Sequence, residues 1–125
     1  MRLVTSLTAF ALVTLGSTAA FAADPYGTWL RPSTGATVDF YDCGGKLCAK
    51  IVGQKDAAKK ATIGKVIMSG AAKTGANSWK GSLLNVDNGQ TYSGVVTLES
   101  AKALKLEGCV LGGIICTGET WTKVN

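Results

Sequence analysis

Apolar side chains recur at every second position over much of this chain. Between Thr37 and Val52, Val38 and Phe40 and then Leu47, Ala49 and Ile51 fall on one side, with Tyr41 and Lys50 on the other. A period of two belongs to a strand, and one apolar side with one polar side belongs to a sheet that covers a core. Gly44-Gly45-Lys46 interrupts the alternation and predicts a hairpin. A two-residue turn at Gly45-Lys46 sets Phe40 across from Ile51 and Cys43 across from Cys48, because glycine accepts the positive φ that a type II′ turn demands.

The same pattern runs along most of the remaining chain. Gly27–Arg31 reads as a short first strand, closed by Pro32 and a Ser33-Thr34-Gly35 turn. Residues 54–65 lack alternation and carry Lys55, Lys59, Lys60 and Lys65; they read as an exposed basic connection with room for one helical turn over 56–60. Residues 65–69 are a weak strand, followed by a small, polar turn or bulge at 70–77. Residues 78–85 and 90–99 form a second clear hairpin about an Asn88-Gly89 type I′ loop. In that register Trp79, Gly81 and Leu83 meet Leu98, Val96 and Gly94, and Asp87 bonds its own turn backbone. Residues 103–110 and 115–124 then pair so that Trp121 opposes Leu104 and Glu119 opposes Leu106. No helical pattern is long enough to cover an open sheet. About eight short antiparallel strands joined mostly by tight turns therefore predict an all-β, up-and-down barrel, because closure leaves no edge. Val38, Phe40, Ile51, Trp79, Tyr92, Val96, Leu104, Leu106 and Trp121 are the predicted interior and the candidates to line a ligand site. A lumen of eight strands is just wide enough to be packed solid or to hold one small molecule.

The N-terminus changes the compartment. Arg2 precedes a mostly apolar run from Leu3 to Leu15, and Ala20-Phe21-Ala22 satisfies the small-x-small rule for export-signal cleavage. Residues 1–22 read as a signal peptide cleaved after Ala22, and residues 23–125 as a single domain in the periplasm or outside the cell. The apolar run is too short and wrongly flanked to span a membrane. Export makes the four cysteines disulfide candidates. Loop entropy alone favours a long-range pairing, roughly 4 against roughly 2 kcal/mol. Hairpin geometry overrules it, because directly opposed strand residues already lie within disulfide reach. The expected pairs are Cys43–Cys48 and Cys109–Cys116, the second about a turn at Gly112-Gly113. With no histidine and no C-x-x-C spacing, zinc is not expected, nor is any cofactor.

The formal net charge of +5 is mostly lysine. It allows weak contact with an anionic envelope surface, whereas scattered lysines on an exported chain do not suggest nucleic acid. An enzyme is not expected. Without histidine there is no Ser-His-Asp or Cys-His arrangement, and Asp39 and Asp42, three apart on one strand, fall on opposite faces. The polar residue of interest is Glu119, placed by its register beside Leu106 and Trp121. An isolated charge there is costly, so Glu119 either sits at the rim or pairs with Lys123 or Arg31, or else it is a polar anchor at the end of an apolar pocket.

Three stretches carry a resemblance. Gly27-Thr28-Trp29 resembles the G-x-W motif on the first strand of lipocalins and related calycin barrels. Residues 41–48 (YDCGGKLC), residues 87–92 (DNGQTY), then Gly108-Cys109, Cys116 and Trp121-Thr122-Lys123-Val124 resemble the family catalogued as domain of unknown function 2147, small exported bacterial proteins. The likeness spans Gly27 to Val124 and implies a lipocalin-like barrel that binds a small apolar molecule, with no established activity. Two positions depart from it: Val86 stands where many relatives carry proline, and Lys123 where they carry arginine. In lipocalins a late arginine lies over the G-x-W tryptophan and closes the barrel. Here Lys123 can offer Trp29 a cation but no planar guanidinium, unless Arg31 takes that place. The leading reading is an exported barrel holding a small apolar or amphipathic ligand. The alternative is a solid-cored envelope interaction or structural module of the lysozyme-inhibitor kind.

Overall fold

Eight alternating segments pair side by side into a ring. The structure, a computed structural model, describes residues 24–125; the expected signal peptide and its expected cleavage after Ala22 lie outside the described residues. The strands are β1 (Gly27–Arg31), β2 (Ala36–Asp42), β3 (Leu47–Gly53), β4 (Val66–Gly75), β5 (Ser78–Asn85), β6 (Gln90–Ser100), β7 (Ala103–Val110) and β8 (Ile115–Lys123). Each pairs antiparallel with the next, and β8 returns to β1 through Trp29↔Lys123 and Leu30↔Thr122. The closed up-and-down barrel expected from the alternation is the observed fold. A 3-10 helix at Ala57–Thr62, capped by the Asp56 side chain on the Ala58 amide, is the one helical turn within the basic connection.

Two hairpin registers differ from expectation, each by two residues. Between β2 and β3 Asp42 pairs with Leu47, Tyr41 with Cys48, and Val38 with Ile51. Phe40 therefore meets Ala49, and the turn spans four residues, closed by the Cys43 amide on the Lys46 carbonyl. Between β5 and β6 Asn85 pairs with Gln90, Leu83 with Tyr92, and Trp79 with Val96, so this loop too holds four residues. It is closed by the Gly89 amide on the Asn85 carbonyl and braced by the Asn85 and Asn88 side chains, which accept from the Asp87 and Gln90 amides, while Asp87 pairs with Lys59 at 3.1 Å. A slip of two changes every partner but keeps every side chain on its face, which is why the interior survived both errors. The β7–β8 register is as expected, Leu104↔Trp121 and Leu106↔Glu119. β4 is longer than the weak strand expected, running through Gly70 with irregular pairing on both sides.

Gly81 pairs with Gly94, glycine on glycine rather than large against small. A Cβ on Gly81 would lie 2.8 Å from the Ala71 Cα, and one on Gly94 would lie 2.7 Å from the Leu83 Cβ. The missing side chains let β4, β5 and β6 approach and turn the sheet, the role glycine plays at barrel corners.

The meander sorts the connections onto two ends. Loops 32–35, 54–65, 86–89 and 111–114 share one end, here the mouth. Loops 43–46, 76–77 and 101–102, with both ends of the described chain, share the other, here the base. Cys43–Cys48 sits at the base with Cα atoms 5.9 Å apart, and Cys109–Cys116 near the mouth at 4.1 Å. The outer faces of the strands carry Lys50, Lys80 and Lys105 while the interior is apolar. A barrel that spans lipid has the opposite arrangement. No helix among the described residues is long and apolar enough to cross a membrane.

Candidate functional site

The lumen is divided along its length. In the base half Trp29, Phe40, Leu47, Met68, Val96 and Leu104 are almost wholly buried. Phe40 meets Trp121 edge to face at 6.1 Å, a pairing worth about 0.5–1.5 kcal/mol beyond the area it buries. The mouth half is hollow. A cavity of about 410 Å³ runs inward from the rim, within the size range of sites for small organic molecules. Ala36 and Val38 line it on β2 but Phe40 does not; Ile51 lines it on β3, Tyr92 on β6, and Leu106, Gly108 and Val110 on β7; on β8 the lining runs from Ile115 through Thr117 to Glu119 and stops before Trp121.

Of the ten residues expected to line a ligand site, the structure thus brings Val38, Ile51, Tyr92, Leu106 and Glu119 to the cavity. Phe40, Trp79, Val96, Leu104 and Trp121 are placed instead in the packed base half, where they fill the lumen. Sequence reasoning missed Ile67, Leu83 and Gln54, all of which line the cavity. Leu83 carried a signal, the alternation of its hairpin. Ile67 sits on the strand with the irregular register, and Gln54 in a stretch with no alternation at all.

The hollow has a structural cause at Gly108. It faces inward opposite Thr117, and the nearest atoms to a Cβ there would be the Tyr92 Cβ and Cγ and the Leu83 Cδ2, at 3.6–3.9 Å, an ordinary contact distance. An absent side chain on an inward position, with nothing pressed into its place, leaves volume that a larger residue would occupy.

Polar groups ring the rim. Arg31 places Nε and Nη2 each 3.0 Å from Glu119 Oε2, while Ser33 Oγ donates to Oε1 at 2.7 Å. Glu119 thus has the partner its position demanded, across the seam between β8 and β1. Partial burial pushes its carboxyl pKa up, but the hydrogen bonds from Arg31 and Ser33 together with the Arg31 charge outweigh that and hold it below the ordinary value. On another side of the rim Lys59, from the 3-10 helix, pairs with Asp87 on the 86–89 loop. Tyr92 presents its hydroxyl to Asn88 and Gln90. Gln54 donates to Thr62, and its Oε1 is buried with no hydrogen-bond partner among the described residues. The result is an apolar chamber beneath a ring of charges and amides. Among the described residues no cluster of metal-ligating side chains occurs.

The base is closed by Trp29. Its indole N–H donates to the Pro25 carbonyl at 2.9 Å, and the Lys123 ammonium lies 5.3 Å from the ring centroid. Lys123, not Arg31, is the cation over this tryptophan; Arg31 points to the other end. Gly27 precedes it at φ 125°, where an added Cβ would strike Lys123 Cε at 2.7 Å. The glycine of the G-x-W motif is the space through which the last strand passes.

Residues 27–123 match the family described as "Uncharacterized protein conserved in bacteria (DUF2147)". The chain belongs to this family. No curated protein matches it. Among solved structures it is similar to protein HP1028 from Helicobacter pylori, described as belonging to the lipocalin family, with a TM-score of 0.68, 21% identity, and 82% of this chain and 84% of that one covered. It is also similar to a redesigned beta barrel, with a TM-score of 0.52, 17% identity, and 80% and 91% covered. At these identities the likeness is one of fold.

Proposed function

We propose that this protein is an exported carrier or sensor that holds a small apolar or amphipathic molecule in the mouth half of its barrel. The cavity carries the reading: about 410 Å³, apolar in depth and polar at the rim. Such a shape takes an aliphatic body inward and leaves a polar head among Arg31, Glu119, Gln54 and Tyr92. The lipocalin-like fold supports the reading, since barrels of eight strands are wide enough for one such ligand. The two disulfides support an oxidising compartment. The cavity favours this reading over a solid-cored interaction module. No reaction is assigned to it: the cavity carboxylate of Glu119 is held by Arg31 and Ser33, and the chain has no histidine to act as base.

Filling the cavity tests the reading. Gly108→Leu adds a side chain where a Cβ meets nothing closer than 3.6 Å and the cavity lies open beyond it, so the barrel is expected to fold with an unchanged spectrum. A fluorescent fatty acid is expected to bind the parent protein and to bind the variant at least tenfold more weakly. Equal binding to both, or none to the parent, would overturn the proposal. Solvent extraction and mass spectrometry of the native protein would then identify the molecule.

A further inference from the structure

The β7–β8 loop exposes more apolar surface than any other connection of the mouth. Leu111 is 68% exposed and Ile114 83%, with Val110 at 41% and Ile115 at 52% beside them. Single exposed aliphatics need no explanation, but four on one tip form a patch of the kind that marks an interaction site. Leu111 also takes φ 54°, a backbone region that strains a bulky residue and that glycine or asparagine occupies more easily. Cys109–Cys116 ties the base of the tip, so little order has to be imposed on it when it docks.

We infer that this tip is a wedge that enters the surface of an anionic phospholipid bilayer, presenting the mouth of the cavity to the membrane. Two features select lipid over a protein groove. The exposed apolar side chains follow one another through the tip: Val110 and Ile115 continue the inward rows of β7 and β8, and Leu111 and Ile114 stand exposed in the turn between them. A protruding tip whose turn and flanking pair carry no side chain but exposed aliphatics suits a medium that closes about it, whereas a protein partner would cover one face. The opposite lip of the mouth, the connection 54–65 between β3 and β4, carries Lys55, Lys60 and Lys65, all exposed and none in an ion pair among the described residues. Exposed Ile63 lies among them. Aliphatic groups seated at the acyl boundary beside unpaired lysines at the headgroups are the two elements of interfacial binding to anionic lipid. Docking goes beyond the carrier reading and does not require it, but the two fit: a ligand could pass between bilayer and chamber without crossing water.

The test is flotation with vesicles, using the chain from Ala23 onward, which contains every strand of the barrel. The vesicles are phosphatidylcholine alone or with one quarter phosphatidylglycerol. Binding is expected to the mixed vesicles, weaker to the neutral ones, and reduced by salt. Leu111→Ser with Ile114→Ser, both at exposed positions that leave the core intact, is expected to lower partition at least tenfold. Lys55→Gln, Lys60→Gln and Lys65→Gln together should remove the preference for the anionic vesicles. Gly108→Leu should float like the parent, which separates docking from ligand binding. Partition unchanged by the serine variant, or no flotation of the parent, would overturn the inference. So would a dimer of the parent in solution that the serine variant abolishes, since the tip would then be covered by a second copy.

Discussion

Glu119 shows what a single charge does at the rim. Its side chain is about one-third exposed, so the contact with Arg31 and Ser33 stabilises by about 1 kcal/mol, the upper part of the range for partly solvated pairs. Its pKa is lowered in the folded chain, so that stability is present above the unfolded value, about 4.3, and disappears as pH falls through the folded one. Glu119→Gln should therefore lower the denaturation free energy by about 1 kcal/mol at pH 7, and the two proteins should converge as the pH is taken below about 4; a constant difference across that range would show the pair to be inert. That Glu119 faces inward was legible from the alternation of β8. Which cation answers it was not. Arg31 and Lys123 both lie on strands next to Glu119's or on its own, but they point to opposite ends, and that follows from where the hairpins turn.

At the scale of the element, the hairpins separate what local pattern decides from what it leaves open. Alternation placed Val38, Phe40 and Ile51 inside and Tyr41 and Lys50 outside, and those faces stand. Loop length is longer than the local signals suggest at two tips, because Gly-Lys and Asn-Gly signals say that the chain turns but not how many residues turn with it. Cys43 and Cys48 still join, across a four-residue loop instead of a directly opposed pair. The Gly81–Gly94 pairing was unreadable for the same reason, and it has a consequence. Gly81→Ala places a methyl against the Ala71 backbone, which cannot withdraw as a side-chain end can. Overpacking of this kind costs about 1–3 kcal/mol, and thermal or urea unfolding should show it, whereas Gly108→Ala, two strands away on β7, where the added methyl meets its nearest neighbours only at 3.6 Å, should leave the midpoint unchanged within error. Equal effects would mean that the sheet relaxes at the corner.

For the molecule as a whole, closure is the decisive event and the seam is its weakest part. β1 meets β8 through Trp29 and Leu30 with the terminal amides of Val124 and Asn125 on the Thr28 carbonyl, while the β7–β8 ladder runs without a break from Ala103 to Val110. Local opening follows the least paired edge, so hydrogen exchange should find the amides of Leu30 and Val124 exchanging sooner than those of β6 and β7; the reverse order would place the first opening elsewhere, at the irregular β4. The sequence by itself determined seven of the strands and the faces of their side chains, β4 only in part, together with the two sulfur pairs and hence a closed barrel, since alternation and turn residues are local and a strand without an edge partner must find one. Only the tertiary structure decided that the lumen is packed at one end and hollow at the other. That depends on how far each inward residue sits along a tilted strand, and on Gly108, Thr117 and Leu83 arriving together from three different strands. No local pattern holds that information, because a cavity is the space left over after distant segments have met.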